Sequence, residues 1–250
     1  MEKCLIIKNI LNKIYFHPLF IIFAFIFVLI GKFRFMSYFM ILILIHETGH
    51  ILVSLFFKWN IKKIIILPFG GLILYDININ TPLIEDLLVS ISGVIFQQLI
   101  YIFLSNYISF KYLSFINYFI IFFNLLPVYP LDGSKILEYF LNILFPYKTS
   151  LKIISFLSII INIILIFLLF NCNKLLVTII IFLILKEIKY YNNINYVFNK
   201  FLIERSIKKF NFRKSIIINN INQMKKDFYH FFEYNNILVD EKKFLRIFFK

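Results

Sequence analysis

Long apolar stretches, interrupted by short polar segments, dominate the chain. A helix needs about 20 residues to cross a hydrocarbon core about 30 Å thick, and somewhat fewer when its ends reach the interface. Stretches of about this length lie at residues 14–30, 35–57, 87–105, 113–130, 153–170 and 175–188. The fourth contains Pro127 and Pro130, which lack amide donors, so we predict that this helix breaks there and resumes over residues 136–145.

The segment between the second and third stretches has a different pattern. Residues 61–75 read IKKIIILPFGGLILY, two runs rich in β-branched residues separated by Pro68, Gly70 and Gly71. This composition predicts a β-hairpin, with a short helix broken at residues 68–71 as the alternative. Because the segment is too apolar for a solvated loop, we expect the hairpin to pack back against the helices at membrane depth.

After Tyr190 the apolar stretches end. Residues 191–250 mix Asn, Lys, Glu and aromatic side chains, which predicts a small α/β tail with little core of its own. The predicted fold is therefore an all-α polytopic membrane protein with about six transmembrane helices, a membrane-associated β-hairpin and this tail. We divide the chain into a membrane domain at residues 1–190 and a tail domain at residues 191–250.

Composition and charge agree with a membrane protein. The chain is 61% hydrophobic and 16% charged, with mean hydropathy +0.84, which excludes an ordinary soluble domain. Its net charge is +14, but basic residues near the ends of spans chiefly set orientation, so we expect no nucleic-acid binding. The basic residues on the predicted cytoplasmic side are Lys3, Lys8, Lys13, Lys58, Lys62, Lys63, Lys148, Lys152, Lys186 and Lys189, against Lys32, Arg34, Lys111 and Lys174 on the other side. Both termini are thus predicted to be cytoplasmic. We expect no removable signal peptide, and Cys4 and Cys172, far apart and without a CxxC motif, indicate neither a disulfide framework nor a cysteine metal site.

Three ionisable residues interrupt the second apolar stretch, which reads FMILILIHETGHILVSLFF. Ionisable groups at bilayer depth are costly and indicate function. In a helix, His46 and His50 project from one face, where both imidazoles reach one tetrahedral Zn²⁺. Glu47 lies about 100° around the helix, where it can exchange protons with water without being a ligand. Gly49 makes room for a close neighbouring helix. The alternative is a pair of buried histidines hydrogen-bonded to neighbouring helices.

A catalytic zinc site usually has a third protein ligand. Asp132 is the best placed, because it follows the two prolines and starts a new helical segment within the bundle. His17, Glu85, Asp86 and Glu138 are the other candidates, and Asp132 has an alternative role as a helix N-cap. His17 is either a supporting or gating group or only the polar start of the first span.

Two motifs resemble those of the site-2 protease class of intramembrane zinc metalloproteases, in particular its sporulation branch. The first is His46-Glu47-Thr48-Gly49-His50, and the second runs from Asn124 through Pro127 and Pro130 to Leu131-Asp132-Gly133. The resemblance implies hydrolysis of a peptide bond in a membrane-associated substrate, with one Zn²⁺ per chain. It implies that His46, His50 and Asp132 are metal ligands and that Glu47 is the catalytic acid and base.

The resemblance also implies partners. The implied substrate is a sigma-factor precursor, with an anti-sigma factor or another membrane protein as the alternative, and inhibitory membrane proteins are implied as regulators. The edge strand at Gly70 and Gly71 and the loop from Asn124 to Pro130 are expected to position the substrate, although Asn124 has an alternative role in interhelical bonding. In the sporulation branch the tail resembles a nucleotide-binding CBS module, and here residues 215–250 are at most a shortened one.

The third span departs from the pattern of the family that the two motifs resemble. Ser92-Gly93-Val94, followed by Gln97-Gln98, stands where related sequences often have a Gly-Pro and Asn pattern, which predicts slightly different packing of the third span. A rival function from another class is metal transport or metal sensing, with His46, His50 and Asp132 as the transit site. That function would not need Glu47 as an acid-base group.

Overall fold

The computed structural model describes residues 12–67, 70–107, 112–170, 174–234 and 237–249. Predictions that rest on Lys3, Cys4, Lys8, Pro68, Lys111 and Cys172 lie outside these residues. The described elements are β1 (Ile14–Phe16), α1 (Pro18–Leu29), α2 (Phe33–Phe56), β2 (Asn60–Leu67), β3 (Gly70–Asp76), α3 (Leu83–Ser105), α4 (Leu113–Leu125), α5 (Asp132–Leu144), α6 (Tyr147–Leu169), α7 (Lys174–Ile207), β4 (Lys214–Ile218), a 3₁₀ turn (Ile221–Gln223), β5 (Phe228–Tyr234), β6 (Ile237–Asp240) and α8 (Glu241–Phe248).

Three described helices are long and apolar enough to cross a membrane. They are α2, α3 and α6, which correspond to the second, third and fifth predicted spans. Helices α1 and α4 are apolar but have only 12 and 13 residues. An integral membrane protein is thus supported, whereas the prediction of six spans is supported for three.

The first apolar stretch, residues 14–30, was predicted to be one helix, and this prediction was wrong for its first three residues. Ile14–Phe16 forms a strand, because the helix begins only at Pro18, where His17 is the N-cap and its Nδ1 accepts the N–H of Leu19 at 3.3 Å. Proline suits the first helical position, since its missing donor is not needed there. His17 thus marks the polar start of this helix, and the strand before it pairs in parallel with β2 at Ile64–Ile66.

The predicted hairpin is present as two strands and not as a broken helix. Strands β2 and β3 pair antiparallel from Leu67 opposite Gly70 to Asn60 opposite Asp76, with an irregularity near Ile61. Together with β1 they form a three-stranded sheet in the order β1-β2-β3, so β3 is an edge strand.

The two prolines interrupt the fourth stretch as predicted. Helix α4 ends at Leu125 and α5 begins at Asp132. The last stretch differs more, because residues 175–188 are only the first part of α7, a helix of 34 residues and about 51 Å. No proline or glycine occurs within it to stop the helix, so it continues past residue 190 into the predicted tail.

The chain divides into two compact units. The first consists of Met1–Ile77 and Leu88–Leu126, and the second of Asn78–Leu87 and Pro127–Lys250. The core of the first unit contains Leu42, Ile43, Ile64, Ile66, Ile116 and Ile120. The core of the second contains Leu151, Phe198, Phe201, Met224, Phe232 and Leu245. The division at residue 190 into a membrane domain and a tail domain stays a prediction.

The end of the second unit has the predicted α/β composition. Strands β4 and β5 are parallel, β5 and β6 are antiparallel, and β5 lies between the other two. Helix α8 packs on one face of this sheet, with the ring of Phe244 stacked on that of Phe232 at 3.8 Å. Asp240 is its N-cap, accepting the N–H of Lys242.

A buried ion pair joins α7 to α8, next to His230 of β5. Arg205, His230 and Glu241 are each at most 2% exposed. Arg205 Nη1 donates to Glu241 Oε1 at 3.1 Å, and the main-chain N–H of Lys225 donates to His230 Nε2 at 3.0 Å. The neutral imidazole therefore has its proton on Nδ1, which lies 3.0 Å from Glu241 Oε2.

Acid pH should loosen this part of the protein. Burial, aided by the charge of Arg205, lowers the pKa of His230 below its usual 6.5. Burial opposes ionisation of Glu241, but its hydrogen bond to His230 and the charge of Arg205 hold its pKa below 4.5. Since the unfolded state binds more protons at both groups, stability falls as the pH drops below about 6.5, and further below about 4.5.

The measurement is amide hydrogen exchange in β5 of the full chain between pH 7.5 and 5.5, corrected for the intrinsic exchange rate. We expect protection to decrease over this interval in the wild type. His230→Gln should remove most of that decrease because position 230 no longer titrates. An equal decrease in both proteins would show that His230 is not the titrating group.

Candidate metal centre

Helix α2 brings three potential metal-binding side chains together in the first unit. His46, Glu47 and His50 are 1%, 4% and 6% exposed, and their ligand atoms all lie within 4.8 Å of one another. Three ionisable side chains buried in one apolar helix need partners that offset their desolvation.

Helix α3 fixes which ring nitrogen of each histidine carries the proton. His50 Nδ1 lies 2.7 Å from the main-chain oxygen of Val89, and His46 Nδ1 lies 2.9 Å from Gln97 Oε1. A carbonyl oxygen only accepts, so both Nδ1 atoms are the donors. In the neutral rings, each Nε2 therefore carries a lone pair.

The two Nε2 atoms face each other at 3.1 Å, with the rings nearly perpendicular at 77°. Two buried histidines that serve only to bond a neighbouring helix would make these Nδ1 contacts as well. They would have no reason to point their Nε2 lone pairs at each other. Two Zn–N bonds of about 2.0–2.1 Å at a tetrahedral angle place their nitrogens about 3.3–3.4 Å apart. The arrangement thus fits a shared cation, and two neutral imidazoles beside a carboxylate suit Zn²⁺.

A glycine keeps the space beside these nitrogens open. A Cβ at Gly93 would lie 2.3 Å from His50 Nε2 and 2.8 Å from His46 Nε2. A Cβ at Gly49 would lie 2.6 Å from the carbonyl oxygen of Ser92, so Gly49 allows the close approach of a neighbouring helix that the sequence predicts. Both glycines therefore let α3 lie directly against the imidazoles.

The hairpin holds the carboxylate. The main-chain N–H of Gly71 donates to Glu47 Oε1 at 2.8 Å. A Cβ at Gly71 would lie 2.2 Å from Glu47 Cδ, so only glycine lets β3 come this close. Helix α2 and strand β3 thus fix Glu47 next to the two histidines.

Asn124 lies on the other side of the hairpin. It is 4% exposed, its Nδ2 donates to the Ile120 carbonyl of its own helix at 3.0 Å, and its Oδ1 would lie 3.1 Å from a Cβ at Gly70. One N–H of the amide is therefore bonded within α4. A role for Asn124 in orienting substrate stays a prediction.

Asp132 and Pro130 belong to the second unit. Asp132 is the first residue of α5, and the N-cap position is taken by Leu131 without a side-chain cap, so the N-cap alternative for Asp132 was wrong. Pro130 follows a cis peptide bond with Tyr129. The roles of Asp132 as metal ligand and of Pro130 in positioning substrate stay predictions.

The other candidate acids have interactions of their own. Asp86 pairs with Lys226 at 2.7 Å. Glu85 lies in the first turn of α3, where a negative charge is favourable. Glu138 accepts a hydrogen bond from Asn142 at 3.5 Å.

Two residues of this site were not recognised from the sequence. Gly93 and Gln97 lie one turn apart on α3, where Gly93 faces both imidazoles and Gln97 faces His46. Their sequence pattern predicts only a difference in packing. The available signal was Gln97 itself, since a carboxamide in the middle of an apolar helix needs a buried partner. Sequence spacing within one helix could not show that this partner is an imidazole of another.

The chain is similar to known peptidases in sequence profile and in fold. Residues 104–170 match the sequence profile of Peptidase family M50. The fold is similar to that of a site-2 protease from Methanocaldococcus jannaschii, with a TM-score of 0.53 over 73% of this chain and 89% of that one, at 24% identity. The resemblance to site-2 proteases seen in the two motifs is thereby confirmed.

Individual relatives agree. The chain is 32% identical over 150 residues to stage IV sporulation protein FB of Bacillus subtilis, covering 57% of this chain and 52% of that protein. It is also 32% identical over 120 residues to a zinc metalloprotease of M. jannaschii, covering 44% of this chain and 35% of that protein. The chain thus spans about half, or less, of the length of these relatives. By name, the second of these relatives is a zinc metalloprotease, and the profile matched by residues 104–170 is that of a peptidase family.

Proposed function

We propose that this protein is an intramembrane zinc metalloprotease that hydrolyses a peptide bond in a membrane-associated protein. The observation that carries the proposal is the pair of imidazole Nε2 atoms facing each other at 3.1 Å beside the buried carboxylate of Glu47. In this proposal His46, His50 and Asp132 hold one Zn²⁺ per chain. When bound, zinc acts as a Lewis acid that polarises a carbonyl and makes water acidic near neutral pH.

Glu47 is the acid-base group of the proposed reaction. Its Oε1 accepts the N–H of Gly71, and this hydrogen bond orients the carboxylate. The carboxylate takes a proton from the attacking water and then delivers it to the leaving amine. A neutral side chain at this position cannot perform the first of these steps.

Strand β3 supplies a place for the substrate backbone. A transmembrane helix has its amides bonded internally, so the segment to be cleaved must become extended. Main-chain groups of a strand point alternately to either side, and Gly71 directs its N–H to Glu47 and away from β2. Ile73 points its main-chain groups to the same side, so a substrate strand added at this edge would lie next to Glu47.

The similarity to a sporulation protein supports a sigma-factor precursor as the substrate. Its membrane-associated segment would be cleaved to release the active factor, with inhibitory membrane proteins as regulators. An anti-sigma factor is the alternative substrate within the same reaction. The proposal includes a multi-pass arrangement with both termini in the cytoplasm, and a tail at residues 191–250 that docks substrate.

Co-expression in a heterologous membrane tests the substrate. The wild type and His50→Ala are each produced with a sigma-factor precursor, and in parallel with an anti-sigma factor, and cleavage is followed by immunoblotting. We expect the wild type to shorten the precursor and His50→Ala to leave it intact. Cleavage of the anti-sigma factor alone would refute the sigma-factor assignment, and equal cleavage by His50→Ala would refute the metal-dependent mechanism.

A further inference from the structure

A chain of buried carboxamides extends from His46 across three helices. Gln97 Oε1 lies 2.9 Å from His46 Nδ1, and Gln97 Nε2 donates to Asn117 Oδ1 at 2.9 Å and to the Asn117 carbonyl at 3.2 Å. Asn117 Nδ2 in turn donates to Gln98 Oε1 at 2.9 Å. Gln97 and Asn117 have no exposed surface. The chain thus links α2, α3 and α4 within the first unit.

The direction of this chain is fixed by one main-chain group. The carbonyl oxygen of Asn117 only accepts, so the amide nitrogen of Gln97 must face it and the amide oxygen must face His46. His46 then has to donate from Nδ1, which leaves the lone pair on Nε2, the atom opposite His50 Nε2. The backbone of α4 therefore determines the tautomer of an imidazole on α2.

We propose that Gln97 is a positioning residue that sets the tautomer and ring orientation of His46 for metal binding, with Asn117 as its support. This inference rests on the proposed function, since it assumes that His46 is a metal ligand. Groups that bond the second nitrogen of a ligating histidine typically contribute 10–100-fold to metal affinity. Gln97 occupies that place for His46.

The two histidines are held by different kinds of group. Val89 holds His50 through its main-chain oxygen, which no substitution removes, whereas His46 depends on a side chain. A carboxamide orients the imidazole without adding a second buried negative charge to that of Glu47. Loss of Gln97 should therefore affect metal retention through His46 and leave His50 in place.

Zinc release measures this role directly. The full chain is loaded with zinc in nanodiscs, an excess of chelator is added, and the release rate is followed. We expect Gln97→Leu to bind zinc about 10–100-fold more weakly, and therefore to release it faster than the wild type. Asn117→Ala should release zinc more slowly than Gln97→Leu, because the Asn117 carbonyl still orients Gln97.

Tyr101→Phe is the matched control. Tyr101 lies one turn after Gln97, and its hydroxyl donates to Ser114 Oγ at 2.8 Å, so this variant also removes a bond between α3 and α4. It does not touch His46, and its zinc release should equal that of the wild type. Equal release from Gln97→Leu and Tyr101→Phe would overturn the proposal, since loss of helix packing would then explain both.

A second variant and the nitrogen chemical shifts of His46 test the same role independently. If Gln97→Leu does not fold, Gln97→Asn retains the carboxamide but withdraws its oxygen by about one bond length, and it should also release zinc faster. In the metal-free protein, the nitrogen chemical shifts of His46 should show the Nδ1–H tautomer in the wild type and a mixture in the variant. A wild type that binds no zinc would refute the proposed function, whereas zinc binding insensitive to Gln97 would refute this inference alone.

Discussion

Glu47→Gln is expected to slow hydrolysis by orders of magnitude while zinc remains bound. The substitution keeps the shape of the side chain, and its carbonyl oxygen can still accept the N–H of Gly71, so the histidines keep their surroundings. It removes the carboxylate that takes a proton from water in the proposed reaction. General acid-base groups contribute about 10²–10⁴-fold, and we expect kcat to fall by that amount, measured with a membrane-protein substrate alongside zinc content.

Glu233→Gln provides the control, because it makes the same chemical change at an exposed position of β5. Its activity and zinc content should match the wild type. The rival function of metal transport or sensing makes the opposite prediction for Glu47→Gln, since transit through His46 and His50 needs no acid-base group. Metal flux that survives in Glu47→Gln, together with no hydrolysis by the wild type, would favour the transporter.

Gly93→Ala should have the second largest effect, the loss of the metal. Its Cβ would lie 2.3 Å from His50 Nε2 and 2.8 Å from His46 Nε2, so both lone pairs would be displaced from their common point. The backbone of α3 carries this atom and cannot rotate it away. We expect zinc affinity to fall by more than about 100-fold, beyond the usual cost of losing a supporting contact, as measured by competition with a chelator.

Gly31→Ala separates this effect from a general cost of replacing glycine. A Cβ at Gly31 would meet nothing within 4 Å, although its φ of 75° disfavours other residues. That variant should lose about 1–2 kcal/mol of stability and retain its zinc. Zinc affinity in Gly93→Ala equal to that in Gly31→Ala would contradict the geometry described for the two imidazoles.

The residues that share one element were predictable from the sequence. The spacing of His46, Glu47 and His50 sufficed because a helix fixes the relation between positions four apart. The hairpin was predictable from its β-branched runs and from Gly70 and Gly71. Such local rules also predicted the break between α4 and α5, since proline removes an amide donor wherever the helix lies.

Features that depend on partners distant in sequence were not predictable in the same way. Ile14–Phe16 has the apolar composition of a span, and its pairing with Ile64–Ile66 makes it a strand. Residues 175–188 look like a short span, but the helix extends to Ile207, and Phe198 and Phe201 of its second half pack in a core with residues distant in sequence. The contacts of Gly93 and Gln97 depend on how α3 crosses α2, which periodicity within α3 does not determine.

Cleavage by the purified protein is the most direct test of metalloprotease activity. The wild type in detergent is incubated with a membrane-protein substrate, before and after chelation and again after zinc is returned, and products are identified by mass spectrometry. We predict a defined new terminus in the substrate, one zinc per chain, loss of cleavage on chelation and recovery with zinc. An intact substrate with zinc fully bound, together with zinc uptake by proteoliposomes, would contradict a protease and indicate a transporter.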